Sequence, residues 1–175
     1  LVGEALAEHK NEVPTGPLDV KVELPIDAHI PAEYVPHERL RREAYKRLAD
    51  ATADADVDEV AAELMDRYGP LPGTVESLLA VARFRVLARA SGLSEIVLKG
   101  SAIHFHPVTL PESGQMRLTR LYPRTLVKPA IRTIVVPRPT TASFGGTPLR
   151  DTELLSWAAD LVKAVLPAAP PQEKS

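Results

Sequence analysis

The sequence predicts an α/β (α+β) fold, a single domain in which helices pack against a small sheet. Three observations predict it. Several stretches carry apolar residues at helical spacing, short runs between them alternate or are β-branched, and many of the 17 prolines gather in clusters where one element ends and the next begins. Proline fixes φ and lacks a backbone donor, so such clusters mark boundaries.

In chain order, Leu1–Lys10 has the pattern of the last turns of an amphipathic helix, with Val2, Leu6 and Ala5 on one side and no capping residue before it. It is expected to be the end of a helix cut from a longer protein. A linker follows at Pro14–Pro17, and residues 1–17 are expected to stand apart from a domain spanning 18–166. Val20, Val22 and Leu24 alternate with Asp19, Lys21 and Glu23, the period of a half-buried strand. Helices are expected over 36–50, 56–68, 72–91 and 150–166. The first turns Leu40, Ala44, Tyr45 and Leu48 inward and Arg39, Arg42 and Lys46 outward.

The second helix has Asp56 and Glu59 at the spacing of a capping box, with Val57, Val60, Ala61, Leu64, Met65 and Tyr68 along one face. Gly69 and Pro70 end it. The third buries Val75, Leu78, Leu79, Ala82 and Val86. Residues 96–98 and 102–106 form a hairpin around Gly100-Ser101, and Ile131–Val136 is a β-branched strand. Gln115–Leu121 fits either a short helix or a strand. Thr140–Pro148 is expected to be a flexible loop. Leu154, Leu155, Ala158, Leu161, Val162 and Val165 line the last helix, and residues 167–175 are expected to be disordered.

Composition limits the chemistry. The chain has 45% hydrophobic and 25% charged residues, a net charge of -2 and no cysteine. A thiol nucleophile, a disulfide scaffold and cysteine-ligated zinc are therefore excluded, and the usage fits a cytoplasmic protein. No apolar run is long enough to span a membrane. The only glycine pair, in Phe144-Gly145-Gly146-Thr147, lacks the lysine of a phosphate-binding loop. His104 and His106 share a strand face, but no carboxylate pair or further histidine completes a metal site. No catalytic constellation, metal or cofactor is expected in this chain.

A binding face is more legible. Glu63, Asp66 and Arg67 share one sector of the second helix, opposite Leu64 and Tyr68, and Glu59 extends that sector by a turn. As solvated charges these residues would contribute little to stability, whereas against an arginine-bearing partner they could set docking specificity. The alternative is a nucleic-acid-binding module using the basic helix faces of Arg39, Arg42, Lys46 and Arg83, although no aromatic residues are interleaved for base stacking.

The ordered stretches Leu24–Tyr34, Arg39-Leu40, Tyr45–Leu48, Glu63–Pro72, Val75–Leu79, Arg83 and Ala90–Gly92 together resemble the C-terminal domain of the bacterial transcription-repair coupling factor (Mfd) family. The resemblance is dense over 24–92 and looser to about Leu166, and does not extend to the 140–148 loop or the proline-rich tail. It implies a non-catalytic regulatory domain of an ATP-dependent DNA translocase in transcription-coupled excision repair. The parent protein would engage DNA and RNA polymerase. This domain would dock intramolecularly on the N-terminal UvrB-like module, mask the UvrA-binding surface and restrain the motor. The family's Glu-x-x-Asp-Arg helix maps onto Glu63, Asp66 and Arg67.

Overall fold

The computed structural model describes residues 20–142 and 144–166. The expected upstream helix, the linker and the C-terminal tail lie outside them. Among the described residues the chain forms five helices and one five-stranded mixed sheet, the α+β architecture expected.

The strands are β1 (Lys21–Glu23), β2 (Glu95–Lys99), β3 (Ala102–His106), β4 (Leu126–Lys128) and β5 (Thr133–Pro137), in the spatial order β1-β2-β3-β5-β4. β1 runs parallel to β2, and the other pairs are antiparallel. β2 and β3 form the expected hairpin, turned by Gly100 at φ 63, where glycine carries no Cβ penalty. Ile96, Ile103, Phe105, Ile134 and Val136 are buried in one core cluster beneath the helices. The intervening residues His104 and His106 face the other way.

The helices are α1 (Glu38–Ala49), α2 (Asp54–Tyr68), α3 (Gly73–Ala90), α4 (Glu112–Leu121) and α5 (Asp151–Val165). α3 organises the rest because it is apolar on two sides. Val75, Leu79 and Ala82 join Ala44 and Leu48 of α1 and Val57, Val60 and Leu64 of α2 in one core. Phe84 and Ala88 lie in the other core, with the sheet and with Leu154, Leu155, Ala158 and Leu161 of α5. At 100° per residue these two stripes are roughly half a turn apart. The single inward stripe read from the sequence therefore missed Phe84, and Val86 is only half-buried.

Several local expectations change. α2 starts two residues earlier than Asp56, which sits inside the helix: its carboxylate accepts hydrogen bonds from the Thr52 and Ala53 amides at 2.9 and 3.1 Å. Met65 is half exposed and not in the core. The ambiguous 115–121 segment is helical, with Leu118 buried and Met116 and Leu121 exposed. Ile131 is not in the strand: Pro129–Ile131 forms a 3-10 turn closed by Arg132 at φ 52, and β5 begins at Thr133. β4 has only three residues, too few to show a period, and was not foreseen. The 140–148 loop is closed at its neck, where the Thr141 amide donates to the Thr147 carbonyl at 2.9 Å.

Phe84→Ala should cost about 3–5 kcal/mol of unfolding free energy, because it removes a ring from the core that joins α3 to the sheet. Met65→Ala should change stability by less than about 0.5 kcal/mol. Urea unfolding of the two variants checks both.

Candidate functional site

The candidate face is the outer side of α2. Val57, Val60 and Leu64 hold the helix against α1 and α3, and this fixes which residues look outward. Its N-terminus is tied by Asp56, and the Thr52 hydroxyl adds a further contact to the same carboxylate at 3.3 Å. These bonds to the ionised form, chiefly those from the Thr52 and Ala53 amides, hold Asp56 below its ordinary 3.8. The C-terminus closes at Gly69, whose φ of 91 suits glycine and whose amide donates to the Met65 carbonyl. The Tyr34 hydroxyl lies 2.7 Å from the Gly69 carbonyl oxygen and 3.2 Å from that of Leu64. The face is thus presented by a helix fixed at both ends.

Glu59, Glu63, Asp66 and Arg67 are all exposed on α2. Their surroundings differ. One oxygen of Glu63 accepts from Arg47 of α1 at 2.6 Å, and the other from Arg67 at 3.4 Å. Arg47, then Arg67, holds the Glu63 carboxyl below its ordinary 4.5 against a smaller opposing effect of desolvation. The Arg67 guanidinium carbon also lies 5.7 Å from the centre of the Tyr68 ring. Glu63 is therefore charge-compensated within the domain while its side chain stays 44% exposed.

Glu59 and Asp66, like Asp54 in the first turn of α2, have no ion pair or side-chain hydrogen bond among the described residues, whereas other acids on and next to the two helices are paired. Glu38 pairs with Arg42, Glu43 with Arg39, Asp50 with Lys46 and Asp58 with Arg83. Met65 lies in the adjoining sector, 50% exposed, beside exposed Ala62. The face thus has a small apolar patch flanked on one side by uncompensated carboxylates. Met65 was misassigned to the core because helical spacing alone places it at the border of the buried stripe.

The basic helix faces look different. Arg39, Arg42, Lys46 and Arg83 each lie within 2.7–3.2 Å of a carboxylate of this chain, which offsets the charge a phosphate backbone would require. His104 and His106 remain on one face of β3. Desolvation, then Lys99 and Lys128, pushes His104 below its ordinary 6.5, and a ring nitrogen of His106 lies 3.1 Å from the Thr133 hydroxyl. No group of three or more metal-ligating side chains occurs among the described residues, and no helix there is long and apolar enough to cross a membrane.

Comparison with known proteins decides the family. The TRCF domain family model matches residues 24–115. The chain belongs to the TRCF domain family. Transcription-repair-coupling factors of Mycobacterium tuberculosis (strain CDC 1551 / Oshkosh) and Mycobacterium bovis are 40% identical over 177 residues, covering 94% of this chain. That of Staphylococcus epidermidis (strain ATCC 12228 / FDA PCI 1200) is 38% identical over 94 residues and covers 54% of this chain. The match spans only 14% of each mycobacterial relative and 8% of the staphylococcal one, so this TRCF domain corresponds to a small part of much larger proteins. A crystal structure of the C-terminal domain of a transcription-repair coupling factor superimposes with a TM-score of 0.65 at 17% identity. It covers 86% of this chain and 93% of that one, and so shares the fold.

The lowered Glu63 pKa sets the direction of a pH dependence. A carboxylate whose folded pKa lies below 4.5 adds stability above that value and loses it as pH falls through the folded pKa. Glu63→Gln should lower stability at pH 7 by no more than about 1 kcal/mol, since the group is largely solvated. The gap between variant and wild-type melting temperatures should close as pH falls below 4.5, as read by circular dichroism.

Proposed function

We propose that the outer face of α2 is an autoinhibitory docking surface. It would bind the N-terminal UvrB-like module of the same parent protein, a transcription-repair coupling factor, mask the surface that binds UvrA, and restrain the ATPase and translocase activity. The observation that carries this reading is that Glu59 and Asp66, next to exposed Met65, have no ion pair among the described residues, whereas Asp58 and Glu63 on the same helix are paired with arginines of α1, α2 and α3. Uncompensated carboxylates beside an apolar contact suit a partner with complementary arginines, because such an asymmetric arrangement selects register and orientation.

The Arg47–Glu63–Arg67 cluster has a supporting part in this scheme. It holds the Arg67 guanidinium in place and leaves its remaining donors for a partner carboxylate or carbonyl. An intramolecular latch needs only modest intrinsic affinity, because the tether supplies a high effective concentration. UvrA would then gain access to the extent that it binds the open state better than the closed one. No catalytic role is assigned to this domain, and it requires no cofactor in this scheme.

Charge reversal at Glu59 and Asp66 is a cleaner test than reversal at Glu63, which would also disrupt the domain's own arginine contacts. In the parent protein, E59K/D66K should increase UvrA capture and basal ATPase rate by about tenfold or more, as expected for the loss of close charge pairs. Met65→Ser should act in the same direction with a smaller effect. Unchanged capture and ATPase rate in E59K/D66K, with the melting temperature of the domain preserved, would contradict the proposal.

A further inference from the structure

Charge is distributed very unevenly along this chain. Between Ser113 and Arg150 there is no aspartate or glutamate, yet Arg117, Arg120, Arg124, Lys128, Arg132, Arg138 and Arg150 all fall there. The stretch holds seven of the 21 Lys/Arg and none of the 23 Asp/Glu, so the near-neutral total hides a basic block against an acidic remainder.

The fold keeps this block unneutralised. Arg150 pairs with Asp151, but none of the other six cations has an acidic partner among the described residues. Arg117, Arg132 and Arg138 donate instead to the uncharged oxygens of Ala164, Thr109 and Leu149. Arg120, Arg124 and Lys128 are exposed. The contrast with α1, where Arg39, Arg42, Lys46 and Arg47 are each paired, is direct.

Exposed apolar side chains coincide with these cations. Met116, Leu121, Leu126 and Ile131 are 66%, 44%, 57% and 56% exposed. Leu121 ends α4, and the turn into β4 is closed by the Thr125 hydroxyl donating to the Tyr122 carbonyl at 2.6 Å. Arg120, Leu121, Arg124, Leu126 and Lys128 therefore lie within a span of no more than about 29 Å, even for a fully extended chain. β4 is also an edge strand, with no strand pairing beyond it among the described residues.

We infer that the α4–β4 edge is a second docking surface, separate from α2, for an acidic protein segment whose carboxylates alternate with aliphatic side chains. The cations supply complementarity to the carboxylates, and Met116, Leu121 and Leu126 supply the contact the aliphatic residues require. A nucleic acid fits less well. It would leave the aliphatic residues without a partner, and Tyr122, the aromatic nearest the cations in sequence, is already engaged edge-on by Trp157 at 5.8 Å between ring centres.

The test titrates the chain with three fluorescein-labelled probes at low and physiological salt. They are a twelve-residue peptide alternating Glu and Leu, a Glu–Ser peptide of equal charge, and a twenty-base-pair DNA duplex. The Glu–Leu peptide should bind at least about tenfold more tightly than the other two, and R120E/R124E/K128E should remove that preference. L126S at this edge should weaken binding of the Glu–Leu peptide while preserving the melting temperature, whereas E59K/D66K should leave it unchanged. The last variant separates this surface from the α2 latch. Equal binding of the Glu–Ser peptide, tighter duplex binding lost in the triple variant, or a Glu–Leu affinity indifferent to the triple variant would each overturn the inference. So would sedimentation showing that the edge is occupied by a second copy of the chain.

Discussion

The structure depends on α3 being buried along two faces at once. A helix with one apolar stripe needs one partner, whereas α3 gives Val75, Leu79 and Ala82 to the α1–α2 side and Phe84 and Ala88 to the sheet and α5. Neither core contains the other's residues, so α3 is the mechanical link between them. The α1–α2 pair is carried on that link, and the outward aim of Glu59, Met65 and Asp66 follows from the inward aim of Val57, Val60 and Leu64. Function at the α2 face is thus a by-product of packing on its reverse side.

The two halves of the domain treat charge differently. On α1 and α2 the ion pairs are mostly local or between neighbouring helices, and they are solvated enough that each adds little to stability. Their larger effect is subtractive. They neutralise Asp58 and Glu63 and leave Glu59 and Asp66, with Asp54 a turn or more away, as uncompensated charges, the condition under which a polar contact is selective. On the α4–β4 edge the cations have no such compensation. A partner approaching from either side would meet fields of opposite sign, which favours one orientation of docking over others.

Much of this was legible in the sequence. Periodicity placed α1, α2, α3 and α5 to within a few residues, and the Gly69-Pro70 stop and the Gly100 hairpin were readable because glycine and proline report backbone needs directly. The family resemblance, densest over residues 24–92, lies within the segment 24–115 matched by the family model. Short or tertiary features were not legible. β4 is three residues long, and Phe84 lies off the stripe that periodicity favoured. The capping contact belongs to Asp56 from within the helix, because Ala53 has no side-chain oxygen and Asp56 can reach back. The Arg47–Glu63 contact joins residues sixteen apart on different helices, so no spacing rule could find it. The acid-free block at 113–150 was visible in the sequence all along, but a net charge near zero concealed it.

The chain's two methionines provide an internal comparison for the central claim, that the α2 face is the surface covered on docking. Met65 lies on that face at 50% exposure, and Met116 lies on α4 at 66%. The most direct measurement is the rate of peroxide oxidation of each, by mass spectrometry, with and without a saturating amount of the parent protein's isolated N-terminal module. Selective protection of Met65, with Met116 oxidising at its free rate, is the predicted result. Oxidation of Met65 at an unchanged rate in the saturated complex would contradict the account.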